Sequence, residues 1–199
     1  MTPRFAVRAP LVLFLAASLL TACSSAPPAP QFPDLRFTDK PPLQLAVASV
    51  DLREVYLPPG HAPNVDHLFP VTPVHAVESW AHDRLSPTGS GPLRAVMTIE
   101  DSSVIETDLA KQTGVNAWFT TQQSERYDLS IAATVNIVDP TGLVVRSATV
   151  KTTRSQTVLE NASPNQRDHV FYDMTKAAMA DFDQRMESEM RSHFGDYLR

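Results

Sequence analysis

Fifteen of the chain's 17 prolines fall within its first 92 residues, and only Pro140 and Pro164 come later. Proline has no amide hydrogen to donate and fixes φ near −65°, so the first half must hold most of the looped and extended backbone. Long uninterrupted elements belong to the second half. The clearest begins at Ser163-Pro164-Asn165-Gln166, which supplies an N-cap, a first-turn proline and a capping-box glutamine. From there no glycine or further proline intervenes before Gly195. Phe171, Met174, Ala178, Phe182, Met186, Met190 and Phe194 recur every three or four residues, which predicts one helix of about 31 residues and about 46 Å. A four-stranded sheet is expected to cover only part of that length. That leaves Met186 to Leu198 to pack on the N-terminal segment, a long loop or another molecule, and makes Met186, Met190 and Phe194 candidate partner- or lipid-binding residues.

Ahead of that helix, Leu43 to Leu52 is apolar on both faces and reads as one covered strand. Tyr56 to Pro73 carries five prolines and reads as a long loop in which Val65, Leu68 and Phe69 pack on the domain. Thr72-Pro73 opens a helix with Val74, Val77, Ala81 and Leu85 on one face, and Ser86 to Pro92 turns the chain. Strand alternation runs from Leu93 to Ile99 and changes phase by Val104, which predicts a bulge near Asp101 to Ser103. Tyr127 to Ile137 alternates cleanly. Asp139-Pro140-Thr141-Gly142 then turns it into a partner strand from Leu143 to Val158. The order is strand, helix, three-strand meander, helix. It predicts an α/β two-layer sandwich with an about four-stranded mixed sheet and both helices on one face.

The N-terminus reads as an address. Arg4 and Arg8 precede the ten apolar residues Leu11 to Leu20, which would span about 15 Å as a helix, half a bilayer's hydrocarbon core. That pattern is an export signal. The run Leu20-Thr21-Ala22-Cys23 resembles the bacterial lipobox, and the resemblance implies diacylglycerol on the Cys23 sulfur, cleavage before Cys23 and acylation of the new amine. Three acyl chains make a stable anchor. Ser24, where an aspartate would retain an enterobacterial lipoprotein at the inner membrane, points by the same resemblance to the outer membrane, facing the periplasm. The expected organisation is a signal peptide over 1–22, a lipidated cysteine with a proline-rich tether over 23–42, and one periplasmic α/β domain over 43–199. Losing Arg4 and Arg8 moves the formal charge from −5 to −7. An acidic chain with no basic tract lacks the electrostatic footprint of a nucleic-acid binder.

Candidate chemistry is sparse. His75, Glu78 and His82 share a helix face with His61 and His67 nearby, but ligands two turns apart do not reach one ion unaided, so solvated side chains with a Glu78–His82 pair are expected. Glu100, Asp101, Glu106 and Asp108 read as charge protecting a sheet edge. The single cysteine forms no internal disulfide. No motif nominates a catalytic residue, and the expectation is a non-enzyme without cofactor or metal. Trp118 and Phe119, in the least regular stretch, are further partner- or lipid-binding candidates.

In architecture Leu43 to Leu198 resembles small periplasmic lipoproteins that assist envelope machinery: the auxiliary lipoproteins of ABC-type lipid transporters, including those associated with MCE proteins, and the lipoprotein plug of the lipopolysaccharide translocon. Pro63-Asn64-Val65-Asp66-His67-Leu68-Phe69-Pro70 and Trp80-Ala81-His82-Asp83-Arg84-Leu85 resemble a cassette of bacterial lipoproteins without assigned function. The resemblance implies a non-enzymatic accessory of an envelope transport or assembly complex, anchored by its lipid and bound to an envelope protein. A lipid-binding or lipid-shuttle module with an apolar helix–sheet cleft is the alternative.

Overall fold

The computed structural model describes residues 31–110 and 122–199. Its centre is a four-stranded sheet ordered β2-β4-β5-β6, in which β2 (Ser49–Glu54) runs parallel to β4 (Arg94–Asp108). β5 (Gln123–Val138) and β6 (Val144–Leu159) complete an antiparallel meander. Between β2 and β4 the chain forms α1 (Pro73–Arg84), and α2 (Pro164–Phe194) follows β6. Both helices share one apolar core with the sheet, Trp80 of α1 meeting Phe182 of α2 edge to face at 5.2 Å. This is the mixed α/β sandwich that the order of elements predicts.

Local chemistry sets the boundaries. The Thr72 hydroxyl accepts the His75 amide at the start of α1. At the start of α2, Ser163 accepts the Gln166 amide while the Gln166 side chain accepts the Ser163 amide. The β5–β6 turn closes through the Gly142 amide donating to the Asp139 carbonyl, with Gly142 at φ +90°, a conformation that costs a glycine little. The bulge in β4 lies between Ile99 and Asp101, one residue earlier than the alternation indicates.

Four expectations need correction. Leu43 to Leu52 is not one strand. β1 (Leu43–Leu45) pairs in parallel with β3 (Leu85–Pro87) in a separate two-stranded sheet, and the chain breaks at 46–48 before β2. Ser86 and Pro87, read as turn, therefore belong to a strand.

Residues 32–42 do not hang free as a tether but lie on the domain, with Leu35 buried. Met186, Met190 and Phe194 are fully buried and present no surface to a partner or lipid. The reason is strand length. Each of β4–β6 has 15 or 16 residues, about 50 Å at 3.3 Å per residue, which matches a 31-residue helix of about 46 Å. The segment after α2 covers the remaining end, with Leu198 bridging Leu45 and the Ala46 amide donating to the Tyr197 carbonyl.

The long loop packs as expected at Val65 and Phe69, whereas Leu68 is exposed. Where β2 ends opposite Ile99, this loop takes over the β4 edge: the Val65 amide donates to the Val104 carbonyl and the Glu106 amide to the Pro63 carbonyl.

Candidate functional site

The most connected polar cluster lies where residues 32–42 cross both helices. Asp183 projects from α2 among apolar neighbours, and its carboxylate accepts from Trp80 Nε1 at 2.8 Å, Arg84 Nε at 2.9 Å and Lys40 Nζ at 2.6 Å. Arg84, also buried, donates further to Glu187 at 2.6 Å and to the Pro41 carbonyl. Burial opposes the charge on Asp183, but hydrogen bonds from Lys40 and Trp80 and the Arg84 guanidinium outweigh it and hold this carboxyl below its ordinary range.

One residue before Arg84 ends α1, Asp83 accepts two hydrogen bonds from the Arg36 guanidinium, at 2.6 and 2.8 Å, and one from the Phe37 amide. The Arg36 hydrogen bond does most to hold the Asp83 carboxyl below its ordinary range. Two aspartates thus clamp the entering chain. This is a structural clamp: Asp83, Asp183 and Arg84 are each met by other parts of the same chain.

A second polar group ties the start of α2 to the sheet. Arg167 pairs with Glu125 and donates to the Tyr127 hydroxyl at 3.0 Å, and Tyr127 donates to Glu106 at 3.3 Å. Burial, then the neighbouring carboxylates Glu106 and Glu125, push the Tyr127 phenol well above its usual range.

The other nominated residues do not converge. His75 lies 3.6 Å from Glu78 and 3.7 Å from Asp34, while His82 is exposed and nearest Asp83, so the expected Glu78–His82 pair is replaced by one at i, i+3. Among the described residues no three histidine or acidic side chains are placed to hold a metal. Glu100 accepts the Thr134 hydroxyl, Asp101 accepts the Ser103 amide and Glu106 accepts the Tyr127 hydroxyl, each separately. Cys23, Trp118 and Phe119 lie outside the described residues. None of the described helices is long and apolar enough to cross a membrane.

Sequence reasoning missed the apolar surface of the β5–β6 turn. The Asp139 carboxylate accepts the Thr141 hydroxyl, the Thr141 amide and the Leu143 amide, bonds that hold it below its ordinary range. The turn is thereby fixed, and it presents Leu143 and Val144 to solvent at 67% and 49% exposure. Two consecutive apolar residues after the turn glycine were the available signal.

No family model matches the chain, and no curated protein does. Among solved structures it is similar to a minor lipoprotein from Acinetobacter baumannii, with 14% identity and a TM-score of 0.39 over 74% of this chain and 93% of that one. It is similar also to rare lipoprotein B from Shewanella oneidensis, with 10% identity and a TM-score of 0.38 over 72% and 95%. A Xanthomonas campestris protein of the family DUF330 matches with 8% identity and a TM-score of 0.32 over 79% and 90%. With scores this low, the functional reading rests on the chain's own residues.

Proposed function

We propose that this chain is a lipid-anchored lipoprotein of the outer membrane, facing the periplasm, that acts without catalysis as an accessory, partner-binding component of an envelope transport or assembly complex. The observation that carries the reading is Leu20-Thr21-Ala22-Cys23 directly after a ten-residue apolar run, with Cys23 the only cysteine in the chain. The fixed β5–β6 turn supports a binding role, because a rigid apolar tip loses little conformational entropy on docking. The alternative, a lipid shuttle, needs an apolar cleft between helix and sheet. That interface is filled by Phe171, Met174, Phe182, Met186, Met190 and Phe194, all buried, which favours the partner-binding reading.

The anchor is tested by mass spectrometry of the N-terminal peptide from envelope-purified protein, which should begin at acylated Cys23. Cys23→Ser should move the folded domain to the soluble periplasmic fraction, and a variant still firmly membrane-bound would refute the anchor. The accessory role is tested with a photo-crosslinking residue at Leu143 in living cells. A discrete adduct with an envelope protein is expected, and its absence at both Leu143 and Val144 counts against this role.

A further inference from the structure

The chain enters its fold at one end of the sheet. The Phe32 ring lies 5.0 Å from that of His169 and 5.2 Å from that of Tyr172, in the first turns of α2. Beside it Val158, Leu159, Ala162, Gln166, His169 and Val170 line an open cleft of about 550 Å³, with Leu159 40% exposed. The opposite end carries the Asp139–Gly142 turn and residues 195–199, joined where the Arg146 guanidinium sits 5.6 Å over the Tyr197 ring.

We infer that the Leu159–His169 end faces the anchoring membrane and rests on its phospholipid surface, with the Asp139–Gly142 turn held outward. The inference rests on acylation of Cys23. Nine residues lead from Cys23 to Phe32, and stretched taut they span about 30 Å. From the His169–Tyr172 level to Phe194 is about 35 Å along α2, and the Asp139–Gly142 turn lies at or beyond that level. An inverted domain would carry Phe32 farther from the bilayer than its tether reaches.

The docked segment makes this restriction. Were residues 32–42 free, the tether would double in length and impose no orientation. The two clamps at Asp83 and Asp183 therefore set the standing of the whole domain. The end that faces the bilayer also suits it. Arg167 is neutralised by Glu125, Leu159 and the ring group of Phe32, His169 and Tyr172 lie at the same end, and amphipathic rings favour the head-group layer.

Acylation of Cys23 consumes the native thiol, so an introduced cysteine is the only one open to labelling. Acylated full-length Asn161→Cys and Thr141→Cys proteins would carry a fluorescent donor in phosphatidylethanolamine–phosphatidylglycerol vesicles with acceptor-labelled head groups. Transfer from position 161 is expected to exceed that from position 141 at least about twofold, because the sites lie about 50 Å apart along β6. Inserting a flexible Gly-Ser stretch as long as the docked segment between Pro30 and Gln31 should shrink the difference. Equal or reversed transfer in protein shown by mass spectrometry to be acylated overturns this inference alone, as does self-quenching at position 161 that reveals a second copy on that end. An unacylated Cys23 overturns the anchor reading and this inference with it.

Discussion

Asp183 is the residue on which most depends. Asp183→Ala leaves Arg84, buried at 1% exposure, with Glu187 as its remaining acidic partner, and strands Trp80 Nε1 without an acceptor. Removing one partner of a buried ion pair costs several kcal/mol, and the surviving Glu187 contact puts the expected loss at about 3 kcal/mol, read by urea unfolding. The pH dependence follows from the same contacts. Asp83, Glu125, Asp183 and Glu187 are all held below their ordinary values of 3.8 for aspartate and 4.5 for glutamate. A carboxyl whose pKa falls on folding stabilises the fold above its unfolded pKa, and that contribution disappears as pH drops through the folded pKa. Stability should therefore lose ground once pH falls below about 4.5 and continue down through the aspartate range, which a chemical-denaturation series against pH would show. Asp83→Asn combined with Glu125→Gln should flatten part of that loss. The sequence held only a faint sign of the cluster. Arg84 and Asp183 each sit among apolar positions of a helix face, but partners 99 residues apart in the chain cannot be matched by spacing.

Among elements, α2 was the most legible, since its cap, length and stripe are all local properties of the chain. Ser163→Ala removes the acceptor for the Gln166 amide and should cost about 1 kcal/mol. Met186→Ala, at the far end of the same helix, should cost about 3 kcal/mol, because it opens a cavity in a sealed core. Were Met186 a surface residue, thermal denaturation would rank the two variants the other way. The β1–β2 break was illegible for a physical reason: Leu43 to Leu52 contains neither glycine nor proline, so nothing local marks where one sheet is left for another. Residues 32–42 misled for the opposite reason. Three of them are proline and the charges look solvated, yet Arg36 and Lys40 meet carboxylates on distant helices. Composition reports how a segment prefers to run, not what it runs against.

For the whole molecule, docking makes residues 32–42 part of the folding unit. Arg36→Ala with Lys40→Ala should release residues 32–42 and leave β1 to α2 folded, because Arg84 keeps Asp183 and Glu187. Limited proteolysis should then cut before Leu43 at least about tenfold faster, as expected when opening costs 1.4 kcal/mol less, and circular dichroism should change little. Equal cleavage rates would show that Leu35 and Phe32 hold the segment without the ion pairs.

The Leu45–Leu198 bridge also bears on when the protein can fold. The residues it joins are 153 apart, so β1 is completed only by closing nearly the full length of the chain. A polypeptide that emerges N-terminus first, from a ribosome or through a translocon, cannot seal that edge until residue 198 is out. The free edge of the first strand is thus the one part of the small sheet that must wait for residue 198.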